Sequence, residues 1–70
     1  MRYVYVIEQA SDGSYSAYVP DLPGCTTCGD SIDEIKTNIK DAVNLYVDSL
    51  RENNEPVPTP TSVTDVVDAV

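Results

Sequence analysis

Residues 2–19 read RYVYVIEQASDGSYSAYV, and this stretch decides the fold. Its first half, about residues 2–9, is dominated by Val, Ile and Tyr, side chains that favour a pleated strand. Ser11, Asp12, Gly13 and Ser14 interrupt it, and Asp-Gly is the favoured pair for a two-residue hairpin loop, whose backbone needs positive φ. A second strand follows over about residues 15–19. With Asp12 and Gly13 as the loop, Ala10 faces Tyr15, Glu8 faces Ala17 and Val6 faces Val19, because antiparallel partners project to the same side. That register gathers Val4, Val6, Ala17 and Val19 on one face and Tyr3, Tyr5, Ile7, Tyr18 and Pro20 on the other. A sheet covered on one side only should alternate apolar with polar residues. Both faces here are apolar, so Tyr3, Tyr5, Ile7 and Tyr18 form a candidate self-association face, expected to meet another copy or a partner.

Downstream, Pro20-Asp21-Leu22-Pro23-Gly24 is a rigid turn segment, since each proline fixes its own φ and keeps the preceding residue out of the helical region. A short third strand fits residues 25–28. Ser31-Ile32-Asp33-Glu34 then matches a capping box, in which the serine oxygen and the glutamate carboxylate satisfy free amides at a helix start. The helix is expected over residues 32–52, stopped by Asn53-Asn54-Glu55-Pro56. At ~100° per residue, Ile32, Ile35, Ile39, Ala42, Val43, Tyr46, Val47 and Leu50 share an arc of about 140°, the width of a helix lying on a sheet. Glu34, Asp41, Asp48 and Glu52 fall close together away from that stripe, with Leu45 among them. Lys36, Lys40 and Arg51 occupy a separate flank. Prolines 56, 58 and 60 favour an extended connector. Residues 62–70 match helical spacing at Val63, Val66, Val67 and Val70, but their β-branched content favours a strand over about residues 64–69. It would join a sheet edge in its own subunit or in a neighbour. The fold class expected is α+β: a three-stranded antiparallel sheet, one long helix packed on it, and a C-terminal edge strand, in the order β-β-β-α-β.

Composition bounds the rest. A chain of 70 residues allows a single domain with a small core, so self-association would help it, and a homo-oligomer is expected. Twelve Asp and Glu against four Lys and Arg give a formal charge of −8. Phosphate backbones and anionic membranes repel such a chain, so neither direct nucleic-acid nor membrane binding is expected. The charge fits a basic partner, and it equally fits a surface that keeps a small protein in solution. No apolar run approaches the ~20 residues that cross a bilayer, and the N-terminus lacks the pattern of a signal peptide, which points to the cytoplasm.

Nothing in the sequence reads as catalytic machinery. There is no histidine, the side chain most used for proton transfer near neutral pH. Cys25-Thr26-Thr27-Cys28 has the spacing of half a zinc site, but zinc takes four ligands and no second pair exists. A redox motif would open a helix, whereas here the pair lies in a strand, where residues three apart point to opposite faces. Asp12, Asp21 and Asp30 each have a structural explanation, at a hairpin tip, in a proline-rich turn and next to a helix start. No enzyme activity, cofactor or metal is expected.

The residues also carry a family likeness. The tyrosine-rich first strand, Asp12-Gly13, the run Tyr15-Ser16-Ala17-Tyr18-Val19-Pro20-Asp21-Leu22-Pro23-Gly24-Cys25, the helix start Gly29-Asp30-Ser31 and the exit Pro56-Val57-Pro58-Thr59-Pro60 recur in this order in HicB-like antitoxins. The sequence resembles that family over nearly its whole length, and PDLPGC is its most specific part. The resemblance implies a single domain over residues 1–70 with a partial RNase H-like fold, which neutralises a small basic RNA-cleaving toxin of the HicA type by protein contact. Antitoxins of this family often add a DNA-binding domain; none is expected within residues 1–70. The helical wheel, not the resemblance, nominates Asp21, Glu34, Asp41, Leu45, Asp48 and Glu52 as the partner-binding residues. Two alternatives remain: an orphan homo-oligomer with a structural or regulatory role, and a metal-dependent nuclease using Asp21 or Asp30.

Overall fold

The computed structural model describes residues 1–69. Three strands, β1 (Val6–Gln9), β2 (Tyr15–Tyr18) and β3 (Thr26–Gly29), form an antiparallel sheet in the order β1-β2-β3, and one helix, α1 (Ile32–Glu52), packs across it. This is the expected β-β-β-α arrangement, with the helix limits as read from the capping and stop signals.

The hairpin register differs from the expectation by one residue. Val6 pairs with Tyr18, Ile7 with Ala17, Glu8 with Ser16 and Gln9 with Tyr15. The loop has three residues, 11–13, closed by Ala10 N–H to Ser14 O (2.8 Å) and Gly13 N–H to Ala10 O (3.0 Å). Gly13 takes φ 91°, the left-handed residue that ends a three-residue hairpin loop. Asp12 secures the turn by accepting from the Ser14 N–H (3.0 Å) and hydroxyl (2.6 Å). A one-residue slip turns one strand over relative to the other. The proposed face of Tyr3, Tyr5, Ile7 and Tyr18 is therefore split. Tyr3 and Ile7 pack against the core on the helix side, and Tyr5 lines a groove beside α1. Tyr18 lies on the opposite side and is 40% exposed, with Val4 and Val6 on the same face by alternation.

β1 is shorter than expected because its partner ends early. Beyond Tyr18 the chain makes two successive turns, Leu22 N–H to Val19 O (3.1 Å) and Cys25 N–H to Leu22 O (3.0 Å). Residues 2–5 consequently lack a ladder partner, and β3 begins at Thr26 rather than at Cys25. The second turn places Pro23 and Gly24 at its centre, with Gly24 at φ 80°, the pairing that a type II turn demands. These turns drive Leu22, which is fully buried, into the core with Ala17, Val19, Cys25, Ile35 and Ile39.

Helix α1 is closed at both ends by side-chain and backbone caps. Ser31 Oγ accepts from Glu34 N–H (3.1 Å), while the Glu34 carboxylate reaches back to Asp30 N–H (3.2 Å). At the other end Asn54 adopts φ 56°, with Glu55 N–H donating to Leu50 O and Asn54 N–H to Arg51 O. That is the Schellman pattern, with Asn in the place usually taken by Gly.

The C-terminal strand expected over residues 64–69 is not formed. Val63, Val66 and Val67 are 91%, 92% and 93% exposed, and no strand follows α1 among the described residues. A strand needs an edge to pair with; in a single copy this segment meets none. Position 70 lies outside the described residues.

Candidate functional site

The helical wheel becomes a surface once α1 is docked. Ile35 and Ile39 face inward, with Ala42, Val43, Tyr46 and Val47 around them. Tyr46 ties the helix to the turn segment, its hydroxyl donating to Pro23 O at 2.9 Å, and Asn38 Nδ2 donates to Cys28 O on β3 at 2.9 Å. These two bonds fix which flank of the helix lies along the β3 edge.

Leu45 is on that flank and is 73% exposed. It lines a groove of about 450 Å³ with Gly24, Thr26, Ala42, Ser49 and Leu50. Asp41, Asp48 and Glu52 are exposed on α1; by helical spacing they border Leu45 on the side away from this groove, and Asp48 also lines the hollow that holds Arg51. An exposed aliphatic side chain bordered by carboxylates is an arrangement in which an anchor residue and electrostatic steering can work together.

The six nominated residues are thus not equivalent. Asp41, Leu45, Asp48 and Glu52 are free at the surface, whereas Glu34 is occupied in capping α1. Asp21 is more deeply committed. Its carboxylate accepts from Thr61 N–H (3.0 Å), Ser62 N–H (3.0 Å), Thr61 Oγ1 (3.1 Å) and Ser62 Oγ (2.9 Å). Those bonds, the Ser62 amide foremost, hold its carboxyl below the usual carboxylate range. Together with the Tyr3 hydroxyl, which donates to Pro58 O, Asp21 clamps the proline-rich connector to the body. The groove residues Gly24, Thr26 and Ser49 were not nominated from sequence, because only the docking of α1 on the turns brings them beside Leu45.

The two cysteines part as their spacing implies. Both are free: Cys25 is buried in the core and Cys28 is exposed on the outer sheet face. Desolvation pushes the Cys25 thiol up from its ordinary value, away from the thiolate that redox or metal chemistry uses. Among the described residues no three His, Cys, Asp or Glu side chains gather to hold a metal ion. Nor, among them, is any helix long and apolar enough to cross a membrane.

The three-stranded sheet with one long helix has solved counterparts. The N-terminal domain of Burkholderia pseudomallei antitoxin HicB superposes with a TM-score of 0.75 at 29% identity, over 84% of this chain and 69% of that one. A structure described as a HicA3 and HicB3 toxin-antitoxin complex matches with a TM-score of 0.72 at 23% identity, over 87% of this chain and 70% of its counterpart. The chain belongs to the HicB-like antitoxins of bacterial toxin-antitoxin systems, whose family model matches residues 3–70. It is also 43% identical over 58 residues to a UPF0150 protein of Thermoplasma acidophilum, covering 83% of this chain and 84% of that protein.

Proposed function

We propose that this chain neutralises a small, basic, RNA-cleaving toxin of the HicA type by direct contact, laying the Leu45 flank of α1 over the toxin's RNA-binding surface. The observation that carries the reading is Leu45 itself, 73% exposed beside an apolar groove and bordered by Asp41, Asp48 and Glu52. A surface that competes with RNA for a basic protein should be acidic; the chain's net charge is −8, and three of its exposed carboxylates, Asp41, Asp48 and Glu52, border Leu45. Membership of an antitoxin family, and a fold shared with a chain of a HicA3 and HicB3 toxin-antitoxin complex, support the same partner class.

The test is co-expression with a HicA-type protein encoded beside this chain. The wild-type chain is expected to restore growth and to co-purify with the toxin. Leu45→Ala combined with Asp41→Lys and Asp48→Lys is expected to do neither while remaining folded. Full rescue by that triple variant overturns the assignment of the surface. Absence of any complex with the wild-type chain overturns the antitoxin reading itself.

A further inference from the structure

Two features of the molecule are unsatisfied in a single copy and complement one another. The first is the arm after Ser62. Its valines at 63, 66 and 67 are more than nine-tenths exposed, and the Cα radius of gyration, 13.5 Å, reflects an elongated outline of 45 × 27 × 16 Å. A compact chain of 70 residues would have a radius of about 11 Å. Asp21 fixes the point where the arm leaves the body, through its four bonds to Thr61 and Ser62.

The second is the groove on the other flank of α1, between the helix and the chain leading into β1. It has a volume of about 320 Å³ and is lined by Met1, Tyr3, Tyr5, Lys36, Lys40 and Val43, among others. Arg51 lines the adjoining hollow, where Asp48 also contributes. Two of the four basic side chains of an otherwise acidic protein therefore line this cleft, with Arg51 in the hollow next to it. β1 is an edge strand, so its outer backbone groups are available for pairing.

We infer that two copies of this chain exchange residues 63–69, each arm adding as a strand along the β1 edge of the other copy. Seven extended residues span about 23 Å, enough to follow an edge strand over its length. Alternation puts Val63, Asp65 and Val67 on one side of that strand: the valines enter the groove against Tyr5 and Val43, and Asp65 meets Lys36 and Lys40. Val66 then joins Val4 and Val6 on the opposite face. The contact is isologous, since each copy supplies one arm and one groove, and it closes at two. Charge selects the occupant. Lys36 and Lys40 line the groove, and Asp65 is the carboxylate that the arm turns toward them.

The inference does not depend on the toxin, and its test uses the purified full chain. Light scattering at micromolar concentration is expected to give a dimer. Lys36→Glu with Lys40→Glu, or Asp65→Lys, is expected to raise the dissociation constant at least about tenfold, the effect of losing about 1.4 kcal/mol. Mixing the two charge-reversed chains should recover part of the dimer. In a Cys28→Ser background, Lys40→Cys in one copy and Val67→Cys in the other should form a disulfide-linked heterodimer on oxidation. A monomeric wild-type chain, a dimer unaffected by both reversals, or failure of the Lys40→Cys and Val67→Cys chains to form a disulfide-linked heterodimer overturns the inference.

Discussion

Leu45 and Ile35 show how differently aliphatic residues of one helix are used. Ile35 has no exposed surface, so Ile35→Ala removes packed methylenes and leaves a cavity, at a cost of about 2–5 kcal/mol. In a domain this small, each kcal/mol lowers the melting temperature by roughly 4–8 °C. Leu45→Ala, at a site 73% exposed, is expected to change stability by no more than about 0.5 kcal/mol. Thermal unfolding of the two variants checks this, and Leu45→Ala should still weaken the toxin complex. Asp21 makes a second residue-level prediction. Its carboxyl is lowered below the ordinary 3.8 by its bonds to Ser62 and Thr61. The clamp is thus fully formed above about 3.8 and is lost as the pH falls through the lower value of the folded state. Asp12 is lowered in the same direction by the Ser14 hydroxyl and amide, so acid titration of the wild type reports both. Comparing Asp21→Asn with Asp12→Asn separates them: only Asp21→Asn should release the connector at neutral pH, seen as faster amide exchange at Thr61 and Ser62.

Among the elements, the hairpin loop has the most instructive chemistry. An added Cβ at Gly13 would meet no atom within 4 Å, yet its φ of 91° is strained for any side chain. Gly13→Ala should therefore cost about 1–2 kcal/mol through backbone strain rather than crowding. Urea unfolding measures it, and a neutral result would mean that the loop adopts another geometry. This loop also marks where the sequence stopped being readable. Ser11-Asp12-Gly13-Ser14 supports either a two-residue loop or a three-residue loop ending in a left-handed glycine, and both leave apolar residues on each face. No polar face existed to reject the wrong register, so Tyr18 was grouped with Tyr3, Tyr5 and Ile7. The helix had no such ambiguity, because Ser31, Glu34 and the Asn53-Asn54 stop each have one geometric meaning. Asp21 lay beyond local reasoning, since its partners Thr61 and Ser62 are some 40 positions away in sequence. The strand expected over residues 64–69 failed for a related reason. Composition reports strand propensity, but pairing needs an edge that a lone copy does not offer.

For the molecule as a whole, the distribution of charge matters more than its total. Acidity alone served solubility and partner binding equally well. With α1 docked, Asp41 and Glu52 border Leu45, Lys36 and Lys40 line the groove on the other flank, and Asp48 lies between, beside both Leu45 and the hollow that holds Arg51. With a basic toxin proposed for the first flank and the arm of a second copy for the other, Leu45→Ala and Lys36→Glu should each disable one contact and spare the other. Exposed charges are screened beyond about 8 Å at physiological ionic strength, and toxin binding should accordingly weaken as salt rises. The most direct test of the central claim is calorimetric titration of the HicA-type toxin with the wild-type chain and with the Leu45→Ala, Asp41→Lys, Asp48→Lys variant, at low and at physiological salt. A tight wild-type complex, weakened by salt and reduced at least about a hundredfold by the variant, which corresponds to about 2.7 kcal/mol, is the predicted result. Equal affinity for the two proteins, with no dependence on salt, would contradict it.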